Sequence, residues 1–224
     1  MRIRLYRMTI ADATTSSVEQ KSVELELHQS MQMKDNNMDI LIALHACDTA
    51  TDDSIWYGIQ RNSSIIVTAP CCHKEVRLYL DPHVAQLRNE GNPLADMLRH
   101  NIYKERIAET VTDSIRALLL EIANYDVQVF EFIGGEHTSK NVMITALKKK
   151  TPRTKVQIEN LRNRLKALAA LHGITRQKLA EWMNEVLVDE KDRKANADRS
   201  MISSTGMPRL GLGPEIAPNT DLSE

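Results

Sequence analysis

Residues 38–73 read MDILIALHACDTATDDSIWYGIQRNSSIIVTAPCCH, and the fold follows from how this stretch divides. Residues 38–46, MDILIALHA, form a continuous apolar run entered through Asn36 and Asn37. Such a run suits a strand buried on both faces, as in a parallel sheet. Residues 51–62, TDDSIWYGIQRN, open on an N-cap residue, Thr51, with acidic first-turn residues, and predict a short helix. Residues 63–70, SSIIVTAP, are a second buried strand stopped by Pro70. Strand, helix, strand is the unit of a parallel α/β sheet. Each strand exit is rich in Cys and His: ALHACDTATDD at 43–53 and APCCH at 69–73 hold all three cysteines, Cys47, Cys71 and Cys72.

Outward from this unit the pattern continues. Residues 2–10 alternate as a strand, and 14–37 are polar apart from VELEL. Residues 74–100 read as irregular, punctuated by Pro82, Gly91 and Pro93. Residues 104–125 place Ile107, Val111, Ile115, Leu118, Leu119 and Ile122 at helical spacing. Two strands follow, 126–133 and 140–148, with GGEHTS between them short enough for an antiparallel hairpin. The expected architecture is a mostly parallel α/β sheet with an antiparallel last strand, over residues 1–150. After the linker TPRT, residues 155–188 predict a helical hairpin. Ile158, Leu161, Leu165 and Leu168 form its core stripe, Gly173 its C-cap and Thr175 the next N-cap. Residues 189–224, rich in Gly, Pro, Ser and charge, predict a disordered tail.

Composition bounds the function. The net charge of −1 gives no global drive toward nucleic acid or anionic membrane. No apolar stretch of roughly 7–15 residues follows the basic start MRIRLYRMTI, so no signal peptide is predicted. The run ILIAL is too short to span a bilayer. Three cysteines, two adjacent, do not make a disulfide framework, and a cytoplasmic setting is expected.

Three readings of the Cys/His exits stand side by side. A zinc site would use His45, Cys47, Cys71, Cys72 and His73, but no pair has CxxC spacing, and neighbouring strand residues such as Cys71 and Cys72 point to opposite sides. A thiolate–imidazole pair would use Cys71 or Cys72 with His45 or His73. The cysteines would otherwise be small buried hydrophobes at a tight turn. The ranking leaves no metal expected. Among other polar groups, Lys148, Lys149, Lys150, Arg153 and Lys155 read as a solvated strand end, Glu136 and His137 as a surface turn, and His100 and Arg106 as a helix-start polar face.

LHACDTATDDSI followed by TAPCCHKE resembles the LHxCGxATD…PCCH pattern of a class of S-adenosylmethionine-dependent methyltransferases. That class includes bacterial methyltransferase-domain proteins and eukaryotic tRNA 2′-O-methyltransferases. FEFIGGEHTSKNVMI at 130–144 is similar to the final hairpin of the bacterial members, so the resemblance extends over roughly residues 1–148. It implies a Rossmann-like class I methyltransferase sheet, order 3-2-1-4-5-7-6. Residues 2–10 would be the third strand, 38–46 the fourth, 63–70 the fifth, 126–133 the sixth and 140–148 the seventh. It also implies S-adenosylmethionine as cofactor, with Asp12 and Ala13 near the adenine and Leu44, His45 and Ala46 on the methionine side. Asp48, Asp52, Pro70, Cys71 and Cys72 would lie on the substrate side, and His45 or His73 would orient or deprotonate the acceptor.

The same resemblance implies a glycine-rich turn after the first strand and an acid ending the second. No GxGxG stands near the N-terminus, so the chain reads as the carboxyl-terminal part of such a domain, N-terminally truncated. Two functions follow as expectations: methyl transfer to an unidentified acceptor, RNA being one possibility, or a non-catalytic remnant serving as an interaction module. The strand at 38–46 then becomes an open apolar edge, to be paired by 2–10, covered, or used in self-association.

Overall fold

The computed structural model describes residues 38–44, 46–134, 138 and 140–188. The strand expected at 2–10, its pairing beside 38–46, Asp12, Ala13, His45, Glu136, His137 and the tail lie outside the described residues.

Strand β1 is Ile40–Leu44 and strand β2 Ile65–Ala69. They run parallel, in register from Ile40 opposite Ile65 to Leu44 opposite Ala69. Helix α1, Thr49–Gln60, connects them. Its buried Gly58 lets it lie close on β2, because a Cβ there would meet Ile66 Cδ1 at 2.9 Å. The helix starts earlier than the sequence predicts: Asp48, not Thr51, is its N-cap, and neither Asp48 nor another side chain caps it by hydrogen bond. The Thr51 hydroxyl instead donates to the Ala46 carbonyl at 2.5 Å.

Residues 74–100 correct an expectation. They are not irregular but helical: α2, Lys74–Asn89, and α3, Leu94–Leu98. Val76, Leu80, Val84 and Leu87 are buried along one face of α2. Pro82 sits within it and removes only the bond to the carbonyl of Leu78, a residue on the exposed side. Solvent satisfies a carbonyl there, so proline interrupts nothing that burial needs.

Helix α4, Asn101–Ile122, buries Val111, Ile115, Leu118 and Leu119. Strands β3, Tyr125–Glu131, and β4, Val142–Lys148, are antiparallel, and β4 pairs antiparallel with β2. The strand order is β1-β2-β4-β3, so β1, β2 and β3 share one direction and β4 opposes them. Tyr125 is fully buried, its hydroxyl donating to the Ser63 carbonyl at 2.9 Å. Among the described residues β1 is an edge strand, with Ile42 and Leu44 exposed.

Helix α5, Lys155–Leu171, begins at a capping box: Thr154 Oγ1 accepts from the Gln157 N–H, and the Gln157 side chain accepts from the Thr154 N–H. It buries Leu161, Leu165 and Ala169 and lies against α4. The chain turns at Gly173, φ +66°, where a Cβ would strike the His83 ring at 2.8 Å. The last helix, α6, is only Lys178–Trp182, capped by Gln177 rather than Thr175. It lies against α1, where Trp56 and Trp182 meet edge to face at 6.1 Å. The compact unit ends at Val188.

Candidate functional site

The parallel register of β1 and β2 ends at Leu44 and Ala69, so the loops that follow leave the same edge of the sheet side by side. Cys47 comes three residues after one strand, Cys71 two after the other. Their sulfurs are 3.3 Å apart, and Cys71 and Cys72 are 3.7 Å apart. Cys71 and Cys72 therefore do not point to opposite sides. Alternation belongs to pleated strand, and β2 stops at Ala69, before them. All three remain thiols. Burial, then hydrogen bonds to Cys47 and Cys72, push the Cys71 thiol up to about 12.

Next to them His73 is buried with its Nε2 3.1 Å from Asp113 Oδ1. A carboxylate accepts only, so Nε2 carries the proton and Nδ1 presents a lone pair. Nδ1 is buried without a hydrogen-bond partner. Asp113 also accepts from Arg116 Nη1 at 3.1 Å.

Arg116 organises the interior beneath this rim. Its Nε and Nη2 donate to the two oxygens of Asp52 at 2.9 and 2.8 Å, and Nη2 also donates to the Asp48 carbonyl at 2.8 Å. Burial pulls the guanidinium pKa down, but Asp52 and Asp113 outweigh it and hold the group above its ordinary value. Gln177 Nε2 donates to Asp52 Oδ1 at 2.6 Å. Asp52 is thus fully buried with both oxygens occupied, a pillar under the rim rather than a group facing a substrate.

Asp48 holds the two rim loops together. Its Oδ1 accepts from the Glu75 N–H at the start of α2 at 3.1 Å. Its backbone, at φ 51° and ψ −121°, is in a region that suits glycine. The motif pattern LHxCGxATD has glycine at this position. The side-chain bond to α2 accompanies the strained aspartate here.

Glu75 was not anticipated from sequence. Its Oε1 accepts from the Lys178 N–H at 2.9 Å, while Oε2 is buried without a hydrogen bond. Burial, then the charge of Asp52, raises its pKa to about 7. Its signal lay only in its place in the first turn of α2, which the irregular reading of 74–100 concealed.

The other candidates sort plainly. Pro70 is buried, Ala46 half-buried and Leu44 exposed at the rim. Lys149 and Arg153 of the basic cluster both donate to Asp126, at 3.0 and 3.3 Å, and Lys148 lies over the Tyr125 ring. Among the described residues no helix is long and apolar enough to cross a membrane.

The fold and rim define a partial Rossmann-like α/β sheet: the order β1-β2-β4-β3 is the 4-5-7-6 portion of the methyltransferase arrangement. A family described as a methyltransferase domain matches residues 3–78, a span that holds both rim motifs, and the chain is thereby similar to methyltransferase-domain proteins. No curated protein and no solved structure matches the chain.

Proposed function

We propose that the chain acts in methyl transfer from S-adenosylmethionine, with the acceptor bound where the two rim loops meet. The observation that carries this reading is His73, seated at the exit of β2 in a methyltransferase-type sheet, oriented by Asp113, with a buried and unpartnered Nδ1. When bound, S-adenosylmethionine supplies a methyl group on a cationic sulfur. Exposed Leu44 and half-buried Ala46 offer apolar surface for the methionine side; in our reading His45 completes that side, and Asp12 and Ala13 lie near the adenine.

His73 Nδ1 accepts the proton of the attacking acceptor atom, and Asp113 stabilises the resulting imidazolium through Nε2–H. Pro70 and the half-buried Cys71 and Cys72 keep water from the acceptor side, and Asp48 fixes the spacing of the loops.

Calorimetric titration of the full chain with S-adenosylmethionine tests the reading. Saturable binding is expected. A folded chain without detectable binding at millimolar cofactor refutes it and leaves the alternative, a non-catalytic module of the same sheet.

A further inference from the structure

We propose that Cys47, Cys71 and Cys72 form a zinc site of three thiolates with an open fourth position. The ligand atoms of these three residues all lie within 4.8 Å of one another. Zinc–sulfur bonds of about 2.3 Å in a tetrahedron put sulfurs roughly 3.8 Å apart. The observed 3.3 and 3.7 Å both fall a little short of that spacing, so opening the trio by a few tenths of an ångström admits the ion.

Packing does not explain the trio. Cysteine used as a small hydrophobe is buried, whereas Cys47 is exposed and Cys71 and Cys72 are only half-buried. Long-range register explains it instead. Spacing along the chain hides the site because its ligands come from two loops, and only the pairing of Leu44 with Ala69 sets those loops together.

Two helix starts flank the trio. Cys47 directly precedes Asp48, the N-cap of α1, and Cys72 directly precedes His73, the N-cap of the 16-residue α2. Both helix starts bring partial positive charge toward the sulfurs. Without a cation, three thiolates in contact would repel and the trio keeps its protons. With zinc, three S–H protons leave to solvent, three Zn–S bonds form, and no electrons are exchanged. Three protein ligands and a vacant fourth position are the pattern of a site that accepts an outside ligand, not of a closed structural one.

The test uses the full chain purified under reducing conditions without chelator. Elemental analysis is expected to give about one zinc per chain, and cobalt titration an intense thiolate-to-cobalt band in the near ultraviolet. Cys47→Ser and Cys71→Ser should each lower zinc content at least tenfold and abolish the band. Exposed Cys47 makes Cys47→Ser the variant that decides if Cys71→Ser fails to fold. Zinc below a tenth of an equivalent with no cobalt band, or zinc retained by Cys47→Ser, would each overturn the proposal. The readout is independent of S-adenosylmethionine binding, so this proposal and the methyl-transfer reading fail separately.

Discussion

Removing Asp52 from beneath the rim should cost about 4 kcal/mol of folding stability, nearly all of it recoverable as coupling to Arg116. Both side chains are essentially excluded from solvent, at 0% and 1% exposure. Asp52→Ala deletes two of the four hydrogen bonds made by Arg116 and strands the Gln177 amide, which now donates to Asp52. Breaking a buried pair by deleting one partner costs about 3–5 kcal/mol. Asp113 still balances the guanidinium, so the middle of that range applies. Arg116→Met should cost a similar amount by leaving two buried carboxylates. The double variant Asp52→Ala/Arg116→Met should lose only about 4 kcal/mol, against a sum of about 8 for the singles, because neither member of the pair is then left facing its missing partner and Asp113 keeps its hydrogen bond from His73. Urea denaturation of all four proteins measures the cycle. Single costs below about 1 kcal/mol, or additivity within about 0.5 kcal/mol, would refute the claim that this pair supports the rim.

Two further outcomes follow from the same rim. Glu75 has its folded pKa raised from 4.5 to about 7, so its contribution is fully present below about pH 4.5 and is lost as pH rises through about 7. The full shift would amount to about 3.4 kcal/mol at 1.36 kcal/mol per pH unit. Partial solvent access reduces this to about 1–2 kcal/mol. Glu75→Gln should therefore unfold at higher denaturant than the parent at pH 8 and match it near pH 4.5; equal stability at pH 8 would contradict the burial argument. At Asp48, alanine loses the bond to Glu75 and keeps the strained backbone, whereas glycine loses the bond and relieves the strain. Asp48→Ala should be less stable than Asp48→Gly by about 1–2 kcal/mol in thermal unfolding, and the reverse order would refute the strain.

The sheet was legible because strands buried on both faces leave long apolar runs, and MDILIALHA and SSIIVTAP differ from everything around them. Their parallel pairing followed from those runs and the helix between them, and the antiparallel last strand from the short gap GGEHTS. Helix α2 was misread for the opposite reason. Its apolar positions, Val76, Leu80, Val84 and Leu87, keep a helical period, but Pro82 outweighed them in the reading. Proline is a strong local signal, and whether it breaks a helix depends on which face meets solvent, a tertiary fact. The zinc reading ranked low because no ligand pair has CxxC spacing and because adjacent strand residues point to opposite sides; the second reason does not apply, since β2 ends before Cys71.

What local sequence cannot encode here is the polar scaffold under the rim. Asp52 reads as a first-turn acid of α1, and only the fold brings it to Arg116, 64 positions away, and to Gln177, 125 away. The second partner ties the segment after α5 to the first crossover helix, so changes around residue 177 bear on loops that leave β1 and β2. Asp48 makes the same point at one letter. An aspartate where the motif has glycine reads as a loss, yet the glycine-like backbone is kept and the side chain reaches the N–H of Glu75. The rim is therefore held by contacts between its two loops and the helices beneath them, and a substitution in any one of these elements acts on the others.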